Sequence, residues 1–215
     1  GANPFGAALV AGVYAVKGAP DGAPAPGSPA TVTIQAIASP LLSLRDDPTD
    51  PRSFGADSHD GEGLATRVNP LIDEGVLQGF LHDGYTGRRS GTASTGSAVR
   101  SSRSTPAPGC QALVMVAGEQ SPEALLAGID RGLFVQSLNG LHSGVNAVSG
   151  DFSVGADGLM IRDGQLAEPV REITLASTIQ RLLLGIIAVG TDLDWRPGGA
   201  TAAIVVIADV SMSGK

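Results

Sequence analysis

The dipeptide Asp163-Gly164, set between Met160-Ile161-Arg162 and Gln165-Leu166, does most to narrow the fold of this chain. Asp-Gly suits the positive φ needed at both central positions of a two-residue hairpin turn, so these flanks read as antiparallel strands. Upstream, Phe152, Val154 and Ala156 alternate with Ser153 and Gly155, the two-residue period of a strand with one buried face. Leu133 to Leu138 reads as a further strand, and Ala112 to Ala117 as a buried one.

Helical signals are fewer. Ser121-Pro122-Glu123 supplies an N-cap, a first-turn proline and a first-turn acid for a helix over Ala124 to Ile129. Leu175, Ile179, Leu182, Leu183, Ile186 and Ile187 follow helical spacing, which predicts a helix from Thr174 to Val189 ended by Gly190. Ala202 to Ala208 reads as one continuous strand that Val210 to Ser213 prolongs, and Thr31 to Ile37 as a half-buried strand that Leu41 to Leu44 extends. Asn69 to His82 satisfies either a helix or a strand-turn-helix broken at Gly75. Gly84 to Pro108, rich in Ser, Thr, Gly and Arg, reads as a long exposed segment. Short connections without regular βαβ alternation favour an α+β class: largely antiparallel sheet, barrel-like or sandwich, with a few packed helices.

Residues 1–30 form an N-terminal helix (Pro4 to Val16) and loop (Gly18 to Pro29), read as the remnant of an upstream domain, and residues 31–215 form the β-rich domain. The chain starts at Gly1 with helix-like sequence, so it reads as a piece of something longer. Its net charge of -7 repels a phosphate backbone, and 4% aromatic residues leave few stacking platforms, which disfavours nucleic acid. No apolar run approaches bilayer-spanning length. Cys110 stands alone and no secretory leader is recognisable, so the expected compartment is a reducing cytoplasm.

Few residues nominate themselves for chemistry. His59, His82 and His142 lie 23 and 60 residues apart and make no paired helical motif. Five aspartates and Glu62 crowd Asp46 to Gly63. A cation on His59, Asp57, Asp60 and Glu62 is one reading of that loop, and a solvated acidic turn is the better-supported one. Gly91 to Gly96 lacks the Gly-Lys-Ser/Thr of a phosphate cradle. Asp192 and Asp194 flank Leu193 beyond a helix end and read as a solvated turn before Trp195 rather than as an acid pair. Cys110 reads as a small buried hydrophobe.

The densest segment is Gly140-Leu141-His142-Ser143-Gly144-Val145-Asn146-Ala147-Val148-Ser149-Gly150-Asp151-Phe152-Ser153. Its glycines and short polar side chains suit close approach by another chain. They equally suit a tight connection whose side chains cap neighbouring amides, and the two readings weigh evenly. Ser143, Gly144, Asn146, Gly150 and Asp151 are the candidate peptide- and partner-binding residues. As a docking surface, valine at Gly144 or Gly150 is expected to damage binding more than folding.

With this segment in view, the chain resembles the TldD/PmbA family, in its PmbA (TldE) branch. The resemblance runs in order through Asp46-Asp47-Pro48, His59-Asp60-Gly61-Glu62-Gly63, Leu71 to Leu81, Ser94-Thr95-Gly96 with Arg100, and Gly140 to Ser153. It continues through Ile161 to Gln165, Pro169-Val170, Glu172 to Ala176, Val189 to Asp192 and Val210 to Gly214.

The resemblance implies the mainly β C-terminal domain of a cytoplasmic metallopeptidase that degrades short or unfolded peptides and matures peptide antibiotics. In that family a TldD subunit supplies zinc through a helical H-E-x-x-x-H motif and a C-terminal-domain cysteine. Neither maps here, and Cys110 lies elsewhere. The implied role is a non-catalytic TldE-type subunit, with no catalytic or metal-binding residue of its own. Zinc is expected in a TldD-like partner, unfolded or short peptides are the substrates, and a homo-oligomer is an open possibility. The competing readings are an independent metal-dependent peptidase using His59, His82 or His142, and an interaction module without a protease role. An older description of the family, modulation of DNA gyrase, gains no support from the acidic charge.

Overall fold

The computed structural model describes residues 36–146, 149–197 and 200–214. The expected helix Pro4 to Val16, the loop Gly18 to Pro29 and most of the strand Thr31 to Ile37 lie outside them.

Two sheets organise the chain. The first runs in the order β11-β12-β6-β1-β2-β3, built from β1 (Leu44–Asp46), β2 (Asn69–Asp73), β3 (Val76–Leu77), β6 (Leu113–Met115), β11 (Asp194–Trp195) and β12 (Ala200–Ala202). Only β12 against β6 is parallel. The second has the order β14-β9-β8-β7, from β7 (Arg131–Asn139), β8 (Asp151–Arg162), β9 (Gln165–Thr178) and β14 (Ser211–Ser213), all antiparallel. Two small pairs complete the set: β4 (Ala98–Val99) with β5 (Ala107–Pro108), and β10 (Ile186–Val189) with β13 (Val205–Ile207). The α+β, largely antiparallel reading holds, and no sheet closes into a barrel among the described residues.

The Asp163-Gly164 hairpin is present, with φ of 48° and 72° at the two turn residues. It joins the two longest strands, β8 and β9. Ser121 caps the helix Pro122–Ala127, its hydroxyl accepting from the Ala124 amide at 3.3 Å. Asn69 to His82 settles as the hairpin β2-β3 around Glu74-Gly75, with no helix.

Three expectations are corrected. The helix forecast for Thr174 to Val189 is a strand through Thr178, then the helix Ile179–Leu184 capped at Gly185, then β10. Of its apolar positions Leu175, Ile179, Leu182, Leu183 and Ile186 are buried and Ile187 is exposed; pairing of Leu175 with Val154 across the sheet decides for strand. Ala202 to Ala208 is broken, because β12 pairs with β6 while β13 pairs with β10. Gly84 to Pro108 is not uniformly exposed: it contains the helix Gly84–Arg89 and the β4-β5 pair, and Ser97 and Ala98 are fully buried.

There are two apolar clusters. One gathers Leu42, Leu44, Ile72, Met115, Ile186 and Ala203; the other gathers Phe152, Val154, Ala156, Ile173 and Leu175. The helix Ile179–Leu184 wedges between them, giving Ile179 and Leu183 to the first and Leu182 to the second. Burying side chains of this size is worth about 1.5–3 kcal/mol each. No helix among the described residues is long and apolar enough to cross a membrane.

Candidate peptide- and partner-docking site

At the end of β7 the chain turns through Gly140, whose φ of 79° ends the strand. One helical turn, Leu141–Gly144, follows, with the Gly144 and Ser143 amides donating to the Gly140 carbonyl at 2.7 and 3.1 Å. Val145 then bridges to Phe152, and both Leu141 and Val145 pack on the Phe152 cluster. The Asn146 amide donates to the Asp151 carbonyl at 2.9 Å, and the Gly150 amide to the Asn146 carbonyl at 2.8 Å.

Short polar side chains finish the connection. Asn146 Oδ1 accepts from the Ser149 amide at 3.1 Å, and Ser149 Oγ donates to Asp151 Oδ2 at 2.6 Å. The Ile179 amide donates to the Gly150 carbonyl at 2.7 Å, fastening the loop to the wedge helix. The structure therefore brings all five candidate residues into one turn. Ser143, Asn146 and Asp151 are exposed, Gly144 is half-buried and Gly150 is buried.

The two glycines serve the fold. A Cβ at Gly144 would stand 2.1 Å from the Ser153 carbonyl oxygen, and one at Gly150, where φ is +81°, 2.3 Å from Gln180 Oε1. Both distances lie far inside van der Waals contact. The capping interactions expected of a tight connection are present, and Ser143, Asn146 and Asp151 are the candidates whose side chains face solvent.

Beside this turn lies a feature that sequence periodicity does not show. β7 is a nine-residue edge strand: its inner side pairs with β8, and its outer side pairs with no strand among the described residues. Such an edge presents unpaired amides and carbonyls to an incoming extended chain. The register shift between Val135 and Ser137 bends it at Gln136.

The other candidates do not converge. No three of His, Cys, Asp and Glu form a group able to hold a metal ion among the described residues. The acids of the Asp46 to Gly63 loop are engaged with backbone: Asp60 Oδ1 accepts from the Glu62 and Leu64 amides at 2.9 Å, and its Oδ2 from the Ala98 amide at 3.1 Å. His59 Nδ1 bonds Ser58 Oγ at 2.9 Å. His82 is half-buried, which lowers its pKa. His142 is exposed on the one-turn helix.

Cys110 Sγ donates to Asp46 Oδ1 at 3.2 Å; burial, and then that carboxylate, push its pKa far up. In Gly91 to Gly96 the Thr92, Thr95 and Gly96 amides already have partners, so none of those three is offered to a phosphate. Asp192 accepts from the Ile204 amide and Asp194 pairs with Arg196, so they make no acid pair. Among the described residues, therefore, no donor set matches the zinc that the family resemblance implies.

Comparison with known proteins agrees with the architecture. Residues 31–214 match the family model for the PmbA/TldA metallopeptidase C-terminal domain. The chain is 31% identical over 165 residues to a metalloprotease PmbA homolog of Haemophilus influenzae, covering 77% of this chain and 34% of that protein. It is 30% identical over 141 residues to a TldD homolog of the same organism, covering 65% of this chain and 29% of that one. TldE from Thermococcus kodakarensis superposes with a TM-score of 0.77 at 29% identity, over 84% of this chain and 41% of that chain. A Thermotoga maritima protein described as a candidate modulator of a DNA gyrase gives a TM-score of 0.77 at 30% identity, with the same coverage. The chain thus spans about a third of the curated relatives it matches. With its fold and nearly its whole described length matched, the chain belongs to the PmbA/TldD metallopeptidase family, through that family's C-terminal domain.

Proposed function

We propose that this chain is a non-catalytic TldE/PmbA-type C-terminal domain, contributing subunit interface and peptide-docking surface to a zinc metallopeptidase whose metal sits in a TldD-like partner. The observation that carries the reading is the open β7 edge running into the turn of Ser143, Gly144, Asn146, Gly150 and Asp151. An extended peptide added along β7 gains main-chain hydrogen bonds whatever its side chains, which suits short or unfolded substrates of many sequences. The glycines keep the turn low, and Ser143, Asn146 and Asp151 offer polar groups at the end of the added strand. Hydrolysis at zinc needs an open metal position beside a general base, and both come from the partner. The complex works in the cytoplasm.

The test is affinity purification of the tagged full-length protein from its own cells, with partners identified by mass spectrometry and zinc counted. Recovery of a homologous subunit carrying H-E-x-x-x-H, with zinc following that subunit, is the expected result. The chain recovered alone without zinc would overturn the two-subunit reading. Zinc on the chain alone, lost on replacing His59, His82 and His142, would establish an independent metallopeptidase instead.

A further inference from the structure

From Gly84 to Gly118 the chain carries four arginines, Arg88, Arg89, Arg100 and Arg103, and no Asp or Glu, although its overall charge is -7. Tertiary structure adds a fifth: Arg67 Nη2 donates to the Ser94 carbonyl at 3.0 Å. The pieces bearing these arginines meet on one turn and one strap. The Gly61 amide donates to the Ala98 carbonyl at 2.7 Å, and a Cβ at Gly61 would lie 3.3 Å from Arg100 Cγ. The Gly84 amide donates to Glu62 Oε2 at 2.7 Å, and a Cβ at Gly87 would stand 3.0–3.1 Å from the backbone of Thr92 to Ser94.

All five arginines are exposed, and none makes an ion pair with Asp or Glu among the described residues. Two acids beneath the lobe, Asp60 and Asp83, are buried and accept hydrogen bonds from nearby amides, with Asp83 Oδ1 taking the Thr86 amide at 2.7 Å. A third, Glu62, is exposed and lies beside Arg88, a Cβ at Gly84 standing 3.0 Å from its Oε2 and 3.3 Å from Arg88 Nη1. An open cleft lined by Arg100, Ser101, Ser102 and Ser104 lies on the lobe. Exposed guanidinium groups that close no ion pair, with Glu62 beside Arg88 alone offsetting part of their charge, flank a hydroxyl-lined cleft and form a surface complementary to carboxylates.

We infer that this arginine lobe binds a short acidic peptide segment. A nucleic acid fits it less well, because a continuous phosphate backbone would run off the lobe onto an acidic molecule. Tyr85 is the one aromatic on the helix Gly84–Arg89, and Arg89 already takes it up, donating to its hydroxyl at 3.2 Å. A few carboxylates on a peptide match the size of the lobe. The inference does not depend on the docking role of the Gly140 to Ser153 turn.

The test is fluorescence anisotropy of a labelled oligoglutamate with the full chain, at low and at high salt, beside oligolysine and a short single-stranded DNA. Oligoglutamate is expected to bind, to weaken as salt rises, and to bind roughly tenfold more weakly to Arg100→Glu/Arg103→Glu. Both residues sit in an exposed turn, so the fold should survive, which circular dichroism checks. Arg181→Glu, on the wedge helix, makes half the charge change of the double variant away from the lobe and is expected to bind nearly as the parent does. Absence of oligoglutamate binding at low salt, equal loss in the Arg181→Glu control, or tighter binding of the DNA would each overturn the inference.

Discussion

Asp157 is tied to the backbone of Glu172, whose amide donates to its Oδ1 at 3.0 Å where the β8-β9 register shifts and Glu172 takes a φ of +54°. Its other oxygen accepts from Ser137 Oγ and Asn139 Nδ2, both at 3.1 Å. One carboxylate thus links β7, β8 and β9 beside the strand end that leads into the proposed docking turn.

This linkage has a pH signature. The Glu172 amide foremost, with Ser137 and Asn139, holds the Asp157 carboxyl below its ordinary value of 3.8. A carboxyl whose folded pKa is depressed contributes stability that is complete above its unfolded value and lost as pH falls through its folded one. Thermal melts of the parent and Asp157→Asn should therefore differ most at neutral pH and converge below about pH 4. A constant gap across that range would show that the carboxylate charge does not matter.

Asp46 should behave in the opposite sense. It is fully buried, with Oδ1 accepting from the Gln111 and Ala112 amides at 3.0 and 2.8 Å, and burial raises its pKa. A raised folded pKa means that this group favours the fold at low pH and loses that contribution as pH rises through the folded value. Asp46→Ala strands two amides at about 1–3 kcal/mol each. That should lower Tm by several degrees, at about 2–4 °C per kcal/mol for a chain of this size.

Gly144→Val and Ser143→Ala should separate fold from docking. The valine meets the Ser153 backbone and should destabilise at the upper end of the ~1–3 kcal/mol typical of overpacking. Ser143 is exposed, so Ser143→Ala should leave Tm within about 1–2 °C while reducing partner or peptide capture. Melting curves and pull-downs on both variants check this. Unchanged capture by Ser143→Ala combined with Asn146→Ala would count against the turn as a docking surface.

Cys110 should resist alkylation in the folded protein. Its half-buried thiol donates to Asp46, and both desolvation and that neighbour disfavour the thiolate that reacts. Iodoacetamide labelling at neutral pH is expected to be slow in buffer and fast in urea, followed by intact mass. Equally fast labelling in buffer would mean that the site opens readily.

Local chemistry alone determined the parts of this protein that need no distant partner. Asp163-Gly164 specifies its own turn through positive φ, Ser121 caps the amide three residues ahead, and alternation from Phe152 to Ala156 marks one buried face. The glycine-rich run Gly140 to Ser153 was visible as an unusual backbone, and the ordered motif series was sufficient to place the family. Tertiary structure decided what depends on which strand lies alongside. Leu175 is strand because Val154 faces it, Ala202 and Val205 part because different strands claim them, and Gly144 has no room for a side chain because the Ser153 carbonyl crosses it. The free edge of β7 and the arginine lobe belong with these: a strand becomes an edge only by what fails to pair with it, and scattered arginines become one surface only when the turns beneath them meet.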